Sequence, residues 1–270
     1  DFRKYTGARI LTTPPHYAYL KIAEGCDNHC TYCAIPQIRG KYTSVPIDDI
    51  VNEAKELLRQ YPIKEFIIVA QDITRYGYDI AGRCLLIDLL KELSKLDVTW
   101  IRLLYLYPEG ISDELLDYIS KNDKICKYLD IPCQHISDKI LKKMNRRITK
   151  QGIIELFEKI RKKGDFCIRS TFIVGFPTES ESDVDELEDF LKFARLDRCG
   201  FFKYSKEDNT AAARMEGQTD EDVKQARYDR LYSLQEKIMY ENTERRVGKV
   251  EKVLYEGIDE DAQAFVGRTE

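Results

Sequence analysis

The feature that most constrains this 270-residue chain is an alternation between two hydrophobic periods. Runs rich in β-branched and aromatic residues recur between segments whose apolar positions fall three and four apart. AYLKIAEG (18–25), EFIIVAQ (65–71), WIRLLYLYP (100–108), KYLDIPCQH (127–135), CIRSTFIVGFP (167–177) and RCGFFKYS (198–205) read as six strands. The segments between them read as amphipathic helices. The first sets Ile50, Ala54, Leu57 and Leu58 on one face. The helix in ITKQGIIELFEKIRKKG ends at Gly164, a natural C-cap. The helix after the fifth strand opens with Thr178 and Glu181 in capping-box spacing. Six βα units in succession predict a parallel sheet with right-handed crossovers. That leaves a doubly wound sheet or a full or partial β/α barrel. There is no G-x-G-x-x-G fingerprint and no P-loop, the usual markers of nucleotide-binding doubly wound folds.

Past the sixth strand the pattern changes. Residues 219–248 read as one long helix with Leu231, Leu234 and Ile238 on a face, and 249–257 and 261–269 as two short strands around an acidic turn. Two strands alone are marginal, so they are expected to begin a small β-domain. At 43% hydrophobic residues the chain is too apolar to be disordered, and it is expected to be soluble, since its longest apolar runs are strand-sized. The amino end carries neither a signal-peptide core nor an initiator Met, so the sequence reads as a piece of a longer or processed chain. The net charge of −4 argues weakly against a surface that is wholly a nucleic-acid footprint.

Eight cysteines without a signal peptide point to a reducing, cytoplasmic compartment, where thiols serve more often as ligands than as bridges. Cys84, Cys126, Cys133, Cys167 and Cys199 are scattered and read as small buried hydrophobes. Cys26, Cys30 and Cys33 stand together as C-x-x-x-C-x-x-C directly after the first strand. Structural zinc takes four closed ligands, so a zinc site would need His29 as the fourth. A four-iron cluster normally takes four thiolates; three leave one iron open, as in a catalytic rather than a structural site.

The string GCDNHCTYC resembles the radical S-adenosylmethionine (SAM) enzymes, which carry CxxxCxxC on the loop after the first barrel strand. The resemblance covers residues 17–205. It implies a partial (β/α)6 TIM-like barrel, one 4Fe-4S cluster on Cys26, Cys30 and Cys33, and SAM chelated by the free iron and cleaved to a 5′-deoxyadenosyl radical. GCDNHCTYCAIPQIRGKYTSVP, IVAQDITRYGYD, YLDIPCQH and RSTFIVGFPTE together are similar to the methylthiotransferase branch. One subgroup of that branch modifies a tRNA adenosine. The RimO type modifies the β-carbon of an aspartate in small-subunit ribosomal protein number twelve. Asp27 and the Gln71–Asp72 pair resemble the second subgroup. Two positions depart from the branch pattern: Val45 stands where Ser-Arg-Pro is usual, and Cys133 where an aliphatic residue is usual.

The resemblance divides the chain into a linker (1–16), a radical SAM core (17–243) and the start of a TRAM-like domain (244–270). It implies a second cluster, in an amino-terminal domain that this sequence does not contain, for sulfur delivery. One SAM would methylate that sulfur, and a second would yield the radical. The implied partners are the ribosomal protein and an electron donor of the flavodoxin or ferredoxin type. No membrane is implied, nucleic acid enters only in the tRNA alternative, and a monomer suffices. A further alternative is a zinc-stabilised RNA- or protein-binding module.

In parallel α/β barrels the chemistry lies where strands end, and nearly every strand here delivers polar or Gly/Pro residues to that rim. Tyr32 is expected near the SAM adenine, with loop packing as the alternative. Gln71 and Asp72 would accept from the SAM ammonium, or cap a helix. Gln134 and His135 would face SAM or substrate, or His135 would be structural. Arg169 and Thr171 share one face of the fifth strand, and which face is inside stays open. Gly175 and Pro177 would form the turn beside the adenine, and Phe202 would border it or pack in the core. Tyr105 and Tyr107 would line the entrance. The basic run KKMNRRITK (142–150) reads as a solvated helix end.

Overall fold

A computed structural model describes residues 9–270, so the first eight residues of the expected linker lie outside the described residues. The chain opens with β1 (Tyr17–Lys21), β2 (Ala23–Glu24), α1 (Ile35–Arg39), β3 (Thr43–Ser44) and α2 (Ile47–Gln60). Next come β4 (Glu65–Val69), α3 (Tyr78–Ala81), α4 (Leu86–Ser94), β5 (Trp100–Leu103), α5 (Asp113–Lys121) and β6 (Ile125–Asp130). Then follow α6 (Asp138–Lys143), α7 (Lys150–Lys163), β7 (Cys167–Val174), α8 (Glu181–Ala194), β8 (Arg198–Lys203) and α9 (Glu221–Glu244). The hairpin β9 (Leu254–Asp259) and β10 (Ala264–Arg268) closes the chain.

The six expected strands form one sheet in the order β1-β4-β5-β6-β7-β8, every pairing parallel. This is a partial α/β barrel rather than a doubly wound sheet. The order runs in one direction without the reversal that marks a doubly wound sheet.

The register separates two faces. Ala18, Leu20, Phe66, Ile68, Ile101, Leu103, Leu129, Ile168, Phe172 and Val174 point outward into one continuous core beneath the helices. The Phe172 ring lies edge-on to Phe190 of α8, and Phe190 in turn to Phe157 of α7. Each such side chain withdrawn from water contributes about 1.5–3 kcal/mol. The alternate residues, among them Glu65, Arg102, Asp130, Arg169, Thr171 and Phe202, face the barrel interior.

Two expectations need correction. The capping box of α8 is formed by Ser180 and Asp183, not by Thr178 and Glu181. Thr178 instead sits in the left-handed region at φ 68°. The third strand stops at Leu103 because Tyr105 turns the chain with φ 61°.

The hairpin packs against the amino ends of the strands. Arg268 Nη2 donates to Glu65 Oε2 at 2.7 Å, and Arg102 Nε to Glu65 Oε1 at 2.6 Å. Among the described residues no helix is long and apolar enough to cross a membrane.

Candidate active site

The cysteine loop is held in place residue by residue. Gly25 takes φ 82°, and a Cβ there would lie 2.2 Å from the Lys41 carbonyl oxygen, so only glycine admits this close approach. Cys26 N donates to Gly40 O at 3.1 Å, and Tyr42 N to Asp27 Oδ1 at 3.2 Å. Asn28 Nδ2 donates to Asp72 Oδ2 at 2.9 Å. Thr31 reaches α6 twice, its N to Met144 O and its Oγ1 to Lys143 O. Cys26 and Cys30 are buried and Cys33 is half-buried. Burial pushes the Cys26 and Cys33 thiols up. A bound cation would be needed to keep such thiols ionised.

A cavity of about 480 Å³ opens beside Cys30, lined in part by Asn28, Asp72, Tyr107 and Glu109. Of the three thiols Cys30 lines this cavity, and three thiolates on one loop would leave one iron of a four-iron cluster open. Among the described residues no group of three or more His, Cys, Asp or Glu side chains is drawn together around one metal position.

The other expected residues divide. Asp72 caps a short turn, accepting from Thr74 N at 3.0 Å and Thr74 Oγ1 at 2.6 Å. Burial outweighs these bonds and raises its carboxyl pKa. Asp72 thus braces the cysteine loop through Asn28 while also lining the cavity beside Cys30. Gln71 donates to Glu24 at 3.4 Å and keeps a buried Oε1 without a partner. Tyr32 packs against a small apolar group that includes Met144, Phe176 and Tyr204.

His135 is fully buried. Its Nδ1 accepts from Ser137 N at 3.0 Å, and its Nε2 lies 3.3 Å from Glu179 Oε2. Gln134 holds φ 71° and bridges to Phe172 through its backbone. Gly175 also has positive φ, but what crowds it is the Lys224 side chain, 2.2 Å from a built Cβ. Gly175 N donates to Glu179 Oε1 at 2.8 Å, so this turn is braced from within. Arg169 and Thr171 face the interior; Arg169 is half-exposed and stands 3.7 Å from Asp130. Phe202 is 60% exposed on the same face, so plain core packing is not its role. Tyr105 is exposed at the rim, whereas Tyr107 points inward, its hydroxyl 3.4 Å from Cys30 Sγ.

Two residues escaped the sequence reading. Helix α6 ends in a Schellman turn: Asn145 N donates to Lys142 O, Arg146 N to Leu141 O, and Asn145 takes φ 59°. The Asn145 side chain then donates to His29 O at 3.0 Å. Arg146 turns into the protein with its side chain fully buried, so the basic run is not wholly solvated. An Asn inside a basic run after a helix was the one available signal.

A family model described as the radical SAM superfamily matches residues 20–191. The ribosomal protein uS12 methylthiotransferase RimO of Alkaliphilus oremlandii (strain OhILAs) is 51% identical over 263 residues. That match covers 97% of this chain and 60% of the relative. The protein of the same name from Clostridium botulinum (strain Loch Maree / Type A3) is 49% identical, with 97% and 59% covered. The chain thus spans about three fifths of the length of these relatives. Coproporphyrinogen III oxidase (HemN) from Escherichia coli, described as a radical SAM enzyme, superposes with a TM-score of 0.60 at 14% identity, over 83% of this chain and 53% of that one. TsrM from Kitasatospora setae, solved with cobalamin and a [4Fe-4S] cluster bound, gives a TM-score of 0.56 at 18% identity, over 69% and 36%. At such identities the likeness concerns the fold alone. With the three cysteines at the end of the first strand of an open parallel barrel, and the family match running through all but the last of its strands, this chain belongs to the radical SAM superfamily.

Proposed function

We propose that the chain is the catalytic core of a methylthiotransferase that modifies the β-carbon of an aspartate in ribosomal protein uS12. The observation that carries this reading is the 51% identity with a uS12 methylthiotransferase along nearly the whole chain, cysteine loop included. Cys26, Cys30 and Cys33 would hold a 4Fe-4S cluster, with SAM on its open iron. When bound, the cluster and SAM would supply the radical chemistry needed to activate an unreactive C–H bond. The protein's own part is to fix the thiols, exclude water beside Cys30 and present the inner face of β7 and β8 to the ligand. There Arg169 offers a cation for a carboxylate, Thr171 a hydroxyl and Phe202 an aromatic face. Tyr105, exposed and with left-handed backbone at the rim, is placed to meet the substrate.

Residues 17–243 would form the core unit, and the β9–β10 hairpin the first strands of a TRAM-like domain. An acidic enzyme surface suits a basic ribosomal protein. The electron donor would be of the flavodoxin or ferredoxin type. Sulfur delivery would require a second cluster, which the scattered cysteines are unsuited to hold. Cys133, for one, lies in the core, where burial pushes its thiol up to about 12.

The test begins with anaerobic iron and sulfide analysis after reconstitution, with Cys30→Ala as control. About four of each per chain, lost in the control, is the expected result; one zinc without sulfide would end the reading. The full-length enzyme is then given uS12 and tRNA separately. Product on tRNA alone would transfer the assignment to the tRNA subgroup. The 270-residue chain alone is expected to cleave SAM and to yield no methylthiolated product.

A further inference from the structure

Beside the cysteine loop lies a buried cation that the assignment above does not use. The Arg146 side chain is fully buried, yet its carboxylate partner, Glu109, is a long 3.3 Å away. Its Nη2 also donates to Pro132 O at 3.2 Å, while Nε and Nη1 have no hydrogen-bond partner. A buried guanidinium left so poorly matched is costly unless further negative charge lies close by. Its plane rests on the Tyr107 ring, 4.0 Å from the centroid. The hydroxyl of that same ring is 3.4 Å from Cys30 Sγ. Cys30, Tyr32, Tyr107 and Glu109 are the acidic groups that face the guanidinium.

Resting on the cluster assignment, we infer that Arg146 and Tyr107 form an electrostatic support for the cluster at Cys30. Tyr107 donates to the Cys30 sulfur, and Arg146 sets a fixed positive charge behind it. A cluster held by thiolates gains a negative charge on reduction. Hydrogen bonds to its sulfurs and nearby positive charge favour the reduced form. The pair is therefore a positioning and tuning device rather than a catalytic group, and its effect falls on the reduction potential.

The measurement is an anaerobic redox titration of the reconstituted protein, followed by absorbance and electron paramagnetic resonance, with iron content alongside. In Arg146→Met the ratio of reduced to oxidised cluster at a fixed potential is expected to fall about tenfold, equal to ~59 mV for a one-electron couple. Tyr107→Phe, which keeps the ring and removes only the hydroxyl, is expected to shift the same way by less. Arg146→Lys is expected to restore most of the loss. Full iron content with wild-type potentials in both Arg146→Met and Tyr107→Phe would overturn the inference. If Arg146→Met loads no iron, Tyr107→Phe decides alone. A wild-type protein that binds no four-iron cluster would instead defeat the assignment on which the inference rests.

Discussion

The two faces of the parallel sheet are made from the same strands and have opposite chemistry. Outward from β7 stand Ile168, Ser170, Phe172 and Val174, all buried; inward stand Arg169, Thr171 and Ile173, half-buried or exposed. The outward face is fixed by the helices and behaves as a hydrophobic core. The inward face splits again along the strands. At the amino end, Glu65 and Arg102 are buried and paired with the hairpin. Further along the sheet, Phe202 near the carboxyl end of β8 is open, and so is Arg169 in the first half of β7. Buried packing and pairing are concentrated outside and at the lower interior, and open side chains at the upper interior.

The largest stability effect is expected at Phe172, which is fully buried and touches Phe190 and Phe201. Phe172→Ala should cost about 3–5 kcal/mol, since the cavity left between helix α8 and strand β8 cannot close. Urea unfolding measures this, and a cost below about 1 kcal/mol would break the division between faces. Glu65→Ala should approach the same size, about 3–5 kcal/mol, because it strands the Arg102 guanidinium. A neutral result there would move the lower interior into the functional half.

A smaller effect concerns acid. Burial alone would raise the Asp183 carboxyl, but the Lys139 ammonium and the Ser137 and Ser180 hydroxyls hold it well below the ordinary range. Its stabilising contribution is therefore complete above the unfolded value of about 3.9 and is lost as pH falls toward the folded value. Asp183→Asn should lower stability by about 1–3 kcal/mol at pH 6. It should also flatten the decline between pH 5 and 3, as followed by urea titration at each pH. Parallel declines in the two proteins would show that other carboxylates govern acid stability.

The six parallel strands and the cysteine loop were legible because each rests on a local pattern, whereas that pattern leaves the order of the strands open between a doubly wound sheet and a barrel, and only the resemblance implies the latter. The strands alternate with helices of a different period, and the thiol spacing needs no tertiary information. What stayed hidden depends on direction. The strand pattern places Arg169 and Thr171 on one face, but only the packing of Phe172 on Phe190 shows that the other face meets the helices. Asp72 is a polar residue at a strand end, and its bonds to Thr74 and to Asn28 of the cysteine loop could not be read from the sequence. Arg146 shares its basic run with the exposed Lys142 and Arg147 and is turned inward by one left-handed residue, Asn145. Charge composition averages over that turn and loses it.

The sharpest use of the comparison is the smallest stability effect, at Phe202. This ring pairs in register with Ile173 and, unlike Phe201 beside it, has no helix over it. Truncating a side chain already in water removes little packing, so Phe202→Ala should change unfolding free energy by no more than about 0.5 kcal/mol. If the ring stacks on the adenine of SAM, its loss should cost about 1–3 kcal/mol of binding, roughly a 5- to 150-fold weaker Kd. Calorimetric titration of SAM into the reconstituted protein reads the second quantity, and urea unfolding the first. Unaltered SAM affinity with a clear loss of stability would assign Phe202 to packing and extend the core across the upper interior. Weaker affinity with stability intact would place the ligand against β8, on the face that the helices leave open.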